Sequence, residues 1–110
     1  MAQDFEMFVT KVTTASTKTP ISDATNSDDM LVGIRCCNIV ATSILVDVYV
    51  TRSTVDYYVA KNVPIPAGGQ FEFIDGGAKF IVLSGAQLNA ECDTTNGCDF
   101  LVSRIDAIST

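Results

Sequence analysis

The side chains with the most chemistry to offer in this 110-residue chain are four cysteines, thirteen carboxylates and three tyrosines; histidine is absent. Without an imidazole, neither a Ser-His-Asp nor a Cys-His arrangement has its base. The thiols are Cys36, Cys37, Cys92 and Cys98. Adjacent residues on a strand point to opposite faces, so Cys36 and Cys37 do not bridge to each other. Cys92 and Cys98 flank Asp93-Thr94-Thr95-Asn96-Gly97, which reads as a hairpin loop setting the two on neighbouring strands. Reduced, half-buried thiols are the expectation, and a Cys92–Cys98 disulfide is the alternative. The spacings do not fit a paired-cysteine zinc knuckle, so no metal or other cofactor is expected.

The carboxylates Asp47, Asp56, Glu72, Asp75, Glu91, Asp99 and Asp106 fall at strand ends or outward positions. A facing pair would serve as an acid/base couple, but a solvated, solubilising face is the simpler reading. Asp23, Asn26, Asp28 and Asp29 loosely resemble a calcium loop, without the central glycine or terminal glutamate of the helix-flanked type. The glycine pairs at 68–69 and 76–77 lie between strand-like segments and form turns; a phosphate cradle leads into a helix. Tyr49, Tyr57 and Tyr58 would stack a sugar if they shared an exposed face, and serve as interface or edge residues otherwise. No enzyme activity is expected.

The formal charge is −6, with seven basic residues scattered along the chain. Neutralising phosphates takes a basic surface, so direct nucleic-acid or anionic-membrane binding is not expected. No apolar run approaches the roughly 18 residues of a spanning helix. The acidic start, Met1 to Glu6, lacks the basic and apolar regions of a secretory signal, which leads to an expectation of cytosolic folding. Apolar residues make up 47% of the chain. They must be buried within it or against a partner.

These side chains must be positioned by strands, because no segment sustains helical periodicity. Residues 5–16 read as a first strand or arm, and 17–29 as a polar loop. Leu31 to Val40 is a strand with Val32, Ile34 and Cys36 on one face. In Ile44 to Thr51, Ile44, Val46, Val48 and Val50 alternate with Asp47, Tyr49 and Thr51. Val55 to Asn62 follows, then a proline-rich edge segment, Pro64 to Gly69. Gln70 to Ile74 is short, and Asp75-Gly76-Gly77 signals a hairpin, since glycine tolerates positive φ. Lys79 to Leu83, Leu88 to Cys92 and Cys98 to Ile108 complete about eight strands with turns every roughly 8–12 residues. The expected fold is one all-β domain, an antiparallel β-sandwich of jelly-roll or immunoglobulin-like topology. Residues 1–16 would be an N-terminal strand or arm, and 17–110 the sandwich.

Four segments carry a family resemblance. Ile34-Arg35-Cys36-Cys37-Asn38 resembles the "I-x-x-C-N" strand of small β-sandwich structural proteins of tailed phages, especially marine and cyanobacterial ones. Tyr57 to Gly69 is similar to the family's extended stretch ending P-I-P-A-G, and Gly77 to Gly85 to its glycine-bounded turn. Cys98 to Ile105 is similar to its closing strand. Ala86 and Arg104 stand where the family has an acidic residue and a tyrosine. The resemblance implies a non-enzymatic virion protein, made in the host cytoplasm, that docks on capsid or tail subunits and is itself a homo-oligomer. A capsid decoration or cement-type protein is the leading expectation, a tail, neck or baseplate accessory protein the alternative, and a carbohydrate-binding adhesion module a separate class. Expected interface residues are Phe5, Met7, Phe8, Tyr49, Tyr57 and Tyr58.

Overall fold

The computed structural model describes residues 4–22, 29–74, 80–82 and 85–106. These form nine strands: β1 (Asp4–Val12), β2 (Thr19–Pro20), β3 (Asp29–Asn38), β4 (Ile44–Arg52), β5 (Val55–Ile65), β6 (Gln70–Glu72), β7 (Phe80–Val82), β8 (Gln87–Cys92) and β9 (Cys98–Asp106). One sheet has the order β1-β9-β3-β6, with β7 also on β3; the other has the order β2-β8-β4-β5. All pairings are antiparallel. β6 pairs Arg35 to Cys37 and β7 pairs Asp29 to Leu31, so the two share one edge of β3 as a broken strand. The fold therefore has eight strand positions, four in each sheet.

The pairing scheme is that of a long hairpin rolled up. The first position pairs with the last, the second with the seventh, the third with the sixth, and β4 with β5 across the turn at Ser53-Thr54. Apart from the break between β6 and β7, which count as one position, only the β4–β5 connection stays within a sheet among the described strands. This is the jelly roll rather than the immunoglobulin topology.

Alternation builds the core. Ile44, Val46 and Val48 of β4, with Leu88 and Ala90 of β8 beside them, face Ile34 and Cys36 of β3 and Phe100 and Val102 of β9 within one buried cluster. On β3 the expected inward row holds at Ile34 and Cys36 but not at Val32. A bulge between Leu31 and Gly33 carries Val32 out of register, so Leu31 is buried instead. An extra residue on one strand flips every side chain beyond it. The polar segment 17–29 contains the short β2, tied to β8 at Ala90 and Asn89. β5 extends through Pro64, which an edge strand tolerates because its outward amide has no ladder partner. The predicted hairpin at Asp75-Gly76-Gly77 lies outside the described residues, as do Asp23, Asn26 and Asp28.

The loop between Cys92 and Cys98 is not a hairpin. β8 belongs to one sheet and β9 to the other, so residues 93–97 cross between sheets. The tight turn at Asn96-Gly97 is present, with Asn96 at φ 54°. A side chain at Gly97 would bring its Cβ to 2.8 Å from both Cys92 Sγ and the Thr94 carbonyl. What read as a strand-to-strand turn is thus a crossover closed tightly over a core thiol.

Candidate functional site

Three groups of side chains were candidates for chemistry: the thiols, the polar face of the β4–β5–β8 sheet, and the outer face of the β1–β9–β3 sheet.

Alternation places Cys36 in the core and leaves Cys37 half-buried on the outer face. Cys36, Cys92 and Cys98 are all buried, and all four cysteines are free thiols. The Cys98 thiol lies within hydrogen-bonding reach of Cys36 and of Cys92. Its contact with Cys36 and its burial both raise its pKa well above the ordinary thiol range. Burial pushes the Cys92 thiol up to about 11. A nucleophilic or metal-binding cysteine needs the thiolate, which this environment opposes.

On the outer face of the second sheet, Tyr49 and Tyr58 are register partners with ring centroids 5.0 Å apart. Lys61 Nζ stands 4.7 Å from the Tyr58 ring centroid and Lys18 Nζ 5.6 Å from that of Tyr49. The Tyr49 hydroxyl donates to Glu91 at 2.7 Å, and burial together with this carboxylate raises its pKa above the ordinary phenol value. Thr51 donates to Asp56 at 2.6 Å, and Lys18 reaches the same carboxylate at 3.2 Å. The Thr51 bond, followed by Lys18, holds the Asp56 carboxyl below its ordinary value. Asp47 pairs with Lys61 at 3.3 Å and accepts from the Asn62 amide at 2.6 Å, where β5 bulges. Asp56 thus has partners that favour its charged form, the opposite of a poised general acid.

The tyrosines do not form a platform. Tyr49 is fully buried, with its ring covered by its neighbours. Tyr57 pairs with Val50, whose side chain packs against the core, whereas Tyr58 pairs with Tyr49 on the opposite face. Tyr57 and Tyr58 are exposed at the β5 edge but point to opposite sides of the sheet.

The outer face of the β1–β9–β3 sheet is different. Met7 and Val9 on β1 are each 67% exposed, and Leu101, the register partner of Val9, is 41% exposed. Beside them lies an open groove of about 310 Å³ lined by Val9, Thr10, Lys11, Asp99, Phe100 and Leu101. Two ion pairs frame the apolar strip, Lys11–Asp99 at 2.7 Å and Arg35–Glu72 at 3.6 Å. An apolar centre with a charged rim is the usual anatomy of a protein contact. Of the other residues expected at an interface, Phe8 is half-buried and packs on the core, with Arg104 4.6 Å above its ring. The Phe5 side chain lies outside the described residues.

Two polar devices escaped the sequence reading. Asn38, 2% exposed, points its side-chain amide at the carbonyls of Thr42 (2.8 Å), Ile65 (3.0 Å) and Pro66 (3.1 Å), while its Oδ1 accepts from Val40 N at 2.9 Å. Its own amide donates to the Gly69 carbonyl at 2.9 Å. One residue therefore joins the end of β3 to the end of β5 and to the turn that follows. At the other end of the sandwich, Arg104 binds Glu6 at 2.8 Å and the buried Asp29 at 3.3 Å. A signal for the second was present: Cys98, Phe100, Val102 and Arg104 are alternate residues of one strand, so Arg104 falls in the inward row.

No protein-family model matches the chain, and no curated protein matches it. Two crystal structures of a pentameric capsid protein isolated from metagenomic phage sequences superpose on it, each with a TM-score of 0.48 and 16% identity. The superposition covers 94% of this chain and 62% and 60% of theirs, so the chain spans about three fifths of their length. At 16% identity and that score, the likeness decides neither fold nor function.

Proposed function

We propose that this chain is a structural component of a phage virion, a capsid decoration or cement-type protein that holds neighbouring subunits together by docking on them as a rigid sandwich. The observation that carries this reading is the joining of the resembling segments. Asn38, the last residue of Ile34–Asn38, binds the Ile65 and Pro66 carbonyls of the P-I-P-A-G stretch and pairs in register with Cys98, the first residue of the closing strand. Segments far apart in sequence form one bonded unit. That supports their being parts of a shared structural solution rather than separate turn signals. Jelly rolls are widely used as capsid domains, and also in lectins and cupins, so topology is compatible with the role without selecting it.

Docking is a matter of surface. The framed apolar strip of Met7, Val9 and Leu101 supplies the contact, and a particle's symmetry repeats it many times, so each copy need bind only weakly. Tyr57 and Tyr58 at the β5 edge offer a second, smaller contact. The partners are capsid or tail subunits and other copies of the chain. The test is co-sedimentation of the purified protein with gradient-purified particles of the phage that encodes it. Saturable binding at many symmetry-related copies per particle is expected. Protein that stays in the supernatant at every concentration overturns the reading.

A further inference from the structure

Sheet edges present unpaired backbone groups, and proteins guard them with short strands, prolines, bulges and charges. This sandwich has four edges, and three are guarded. β2 is two residues long and includes Pro20. β5 contains Pro64, two register shifts against β4, and Asn62 at φ 54°. The edge of β3 is covered only by the three-residue pieces β6 and β7.

The fourth edge, β1, has none of these devices. It is nine residues long, lacks proline, and runs in unbroken register with β9 from Asp4 to Val12. Among the described residues no strand pairs with its other side. The charges that would guard it are drawn back onto β9, Glu6 to Arg104 at 2.8 Å and Lys11 to Asp99 at 2.7 Å. What faces outward is Met7 and Val9.

We infer that β1 is a strand-pairing site and that its occupant is the β1 strand of a second copy, antiparallel, giving one sheet that runs through both molecules. A partner strand must bring a free edge of its own, and β1 is the only long, unguarded edge among the described residues, so the contact between copies is β1 on β1 and two-fold symmetric. A two-fold axis at Phe8 keeps outward residues opposite outward residues. Met7 then faces Val9 of the second copy, twice. Glu6 faces Thr10, and Lys11 faces position 5, so no like charges meet across the junction. The apolar strip becomes continuous, from Leu101 and Val9 of one copy to Met7 of the other and back, closed at both ends by a Lys11–Asp99 pair. This contact does not depend on the virion reading, because it is a property of the purified chain alone.

Sedimentation equilibrium of the full chain tests it, alongside the variant M7K/V9K and the control V55K/Y57K on the guarded β5 edge. In the first variant, lysines oppose lysines across the junction. The wild type and the control are expected to form concentration-dependent dimers, and M7K/V9K to dissociate at least about tenfold more readily. Because the substitutions alter β1 itself, hydrogen exchange of the wild type gives a second reading. Amides of residues 4–12 should gain protection as concentration rises, while those of β5 do not. A wild type that is monomeric throughout, a dimer that M7K/V9K leaves intact, or added protection confined to β5 overturns the inference.

Discussion

At the scale of single residues, the buried polar groups and thiols set sharp expectations. Of the four thiols, Cys37 alone is not buried. Ellman's reagent should therefore label about one cysteine in the native protein and four after denaturation. A denatured count of two without reductant would mean that a disulfide, with Cys92–Cys98 the first pair to test, forms in the isolated protein. The same thiols give a pH dependence. Burial raises Cys92 from 9.0 to about 11, and Cys98 is raised as well. Above about pH 9 the unfolded chain gives up thiol protons that the folded chain keeps, so the unfolded state binds fewer protons and stability falls as pH rises. The contribution is complete below about pH 9 and, for Cys92, is spent by about pH 11; it amounts to roughly 2–3 kcal/mol. Urea melts at pH 8 and pH 10.5 should show the fall, and Cys92→Ser should lessen it, leaving the part due to Cys98.

Arg104 is the residue whose loss should cost most. Its removal leaves Asp29, a buried carboxylate, without this cation in the interior. Arg104→Ala is expected to destabilise the fold by about 3–5 kcal/mol. Lys11→Ala breaks a surface pair and should cost less than about 1 kcal/mol. Equal effects in denaturant titrations would show that the interior pair is not held as described.

At the scale of elements, the knit end of the sandwich concentrates the specificity of the fold. Ser16 N bonds the Cys92 carbonyl, Ile39 N the Gly97 carbonyl, and Asp93 N the Leu45 carbonyl, so crossovers between the sheets hold one another in place. The Asn38 side chain ties the β3–β4 crossover, at Val40 and Thr42, to the end of β5 at Ile65 and Pro66. Asn38→Ala should cost about 2–4 kcal/mol, since it strips buried carbonyls of their donor, whereas Asn38→Asp leaves the acceptor half and should still be destabilising. Thermal unfolding of the two variants checks this.

Strand identity was largely readable from the sequence because β4, β8 and β9 alternate cleanly. Alternation cannot announce a bulge, so on β3 Ile34 and Cys36 face inward as expected but Leu31 takes the place expected for Val32. Nor does it distinguish a hairpin from a crossover. Asn96-Gly97 signals a tight turn in either case, and whether β8 and β9 pair is decided by the rest of the roll. Tyr49 faces outward as the alternation predicts, but its burial depends on Lys18, from the segment before β2, and Tyr58, from β5, which the topology brings against it. The role of Asn38 is not legible in the sequence, because its partners Ile65 and Pro66 lie 27 and 28 residues away.

At the scale of the whole molecule, the sandwich has polar groups mostly bound to one another and one apolar outer strip with an open edge beside it. That distribution fits a protein whose work is contact. Each copy carries a charge of −6, so association through the apolar strip is opposed by general repulsion. Raising the salt concentration should strengthen the contact between copies by screening that repulsion, which light scattering from 50 to 500 mM NaCl would follow. A contact held by ion pairs would respond in the opposite direction.

The central claim is that the chain works as a docked structural subunit of a phage particle. The most direct measurement is a cryo-electron reconstruction of that particle with the protein's copies located in it. The account predicts repeated, symmetry-related density for an eight-position sandwich, with the β1–β9 outer face carrying Met7, Val9 and Leu101 buried against a neighbour. A particle with no such density, or copies whose β1–β9 face points into solvent while another surface makes every contact, would contradict it.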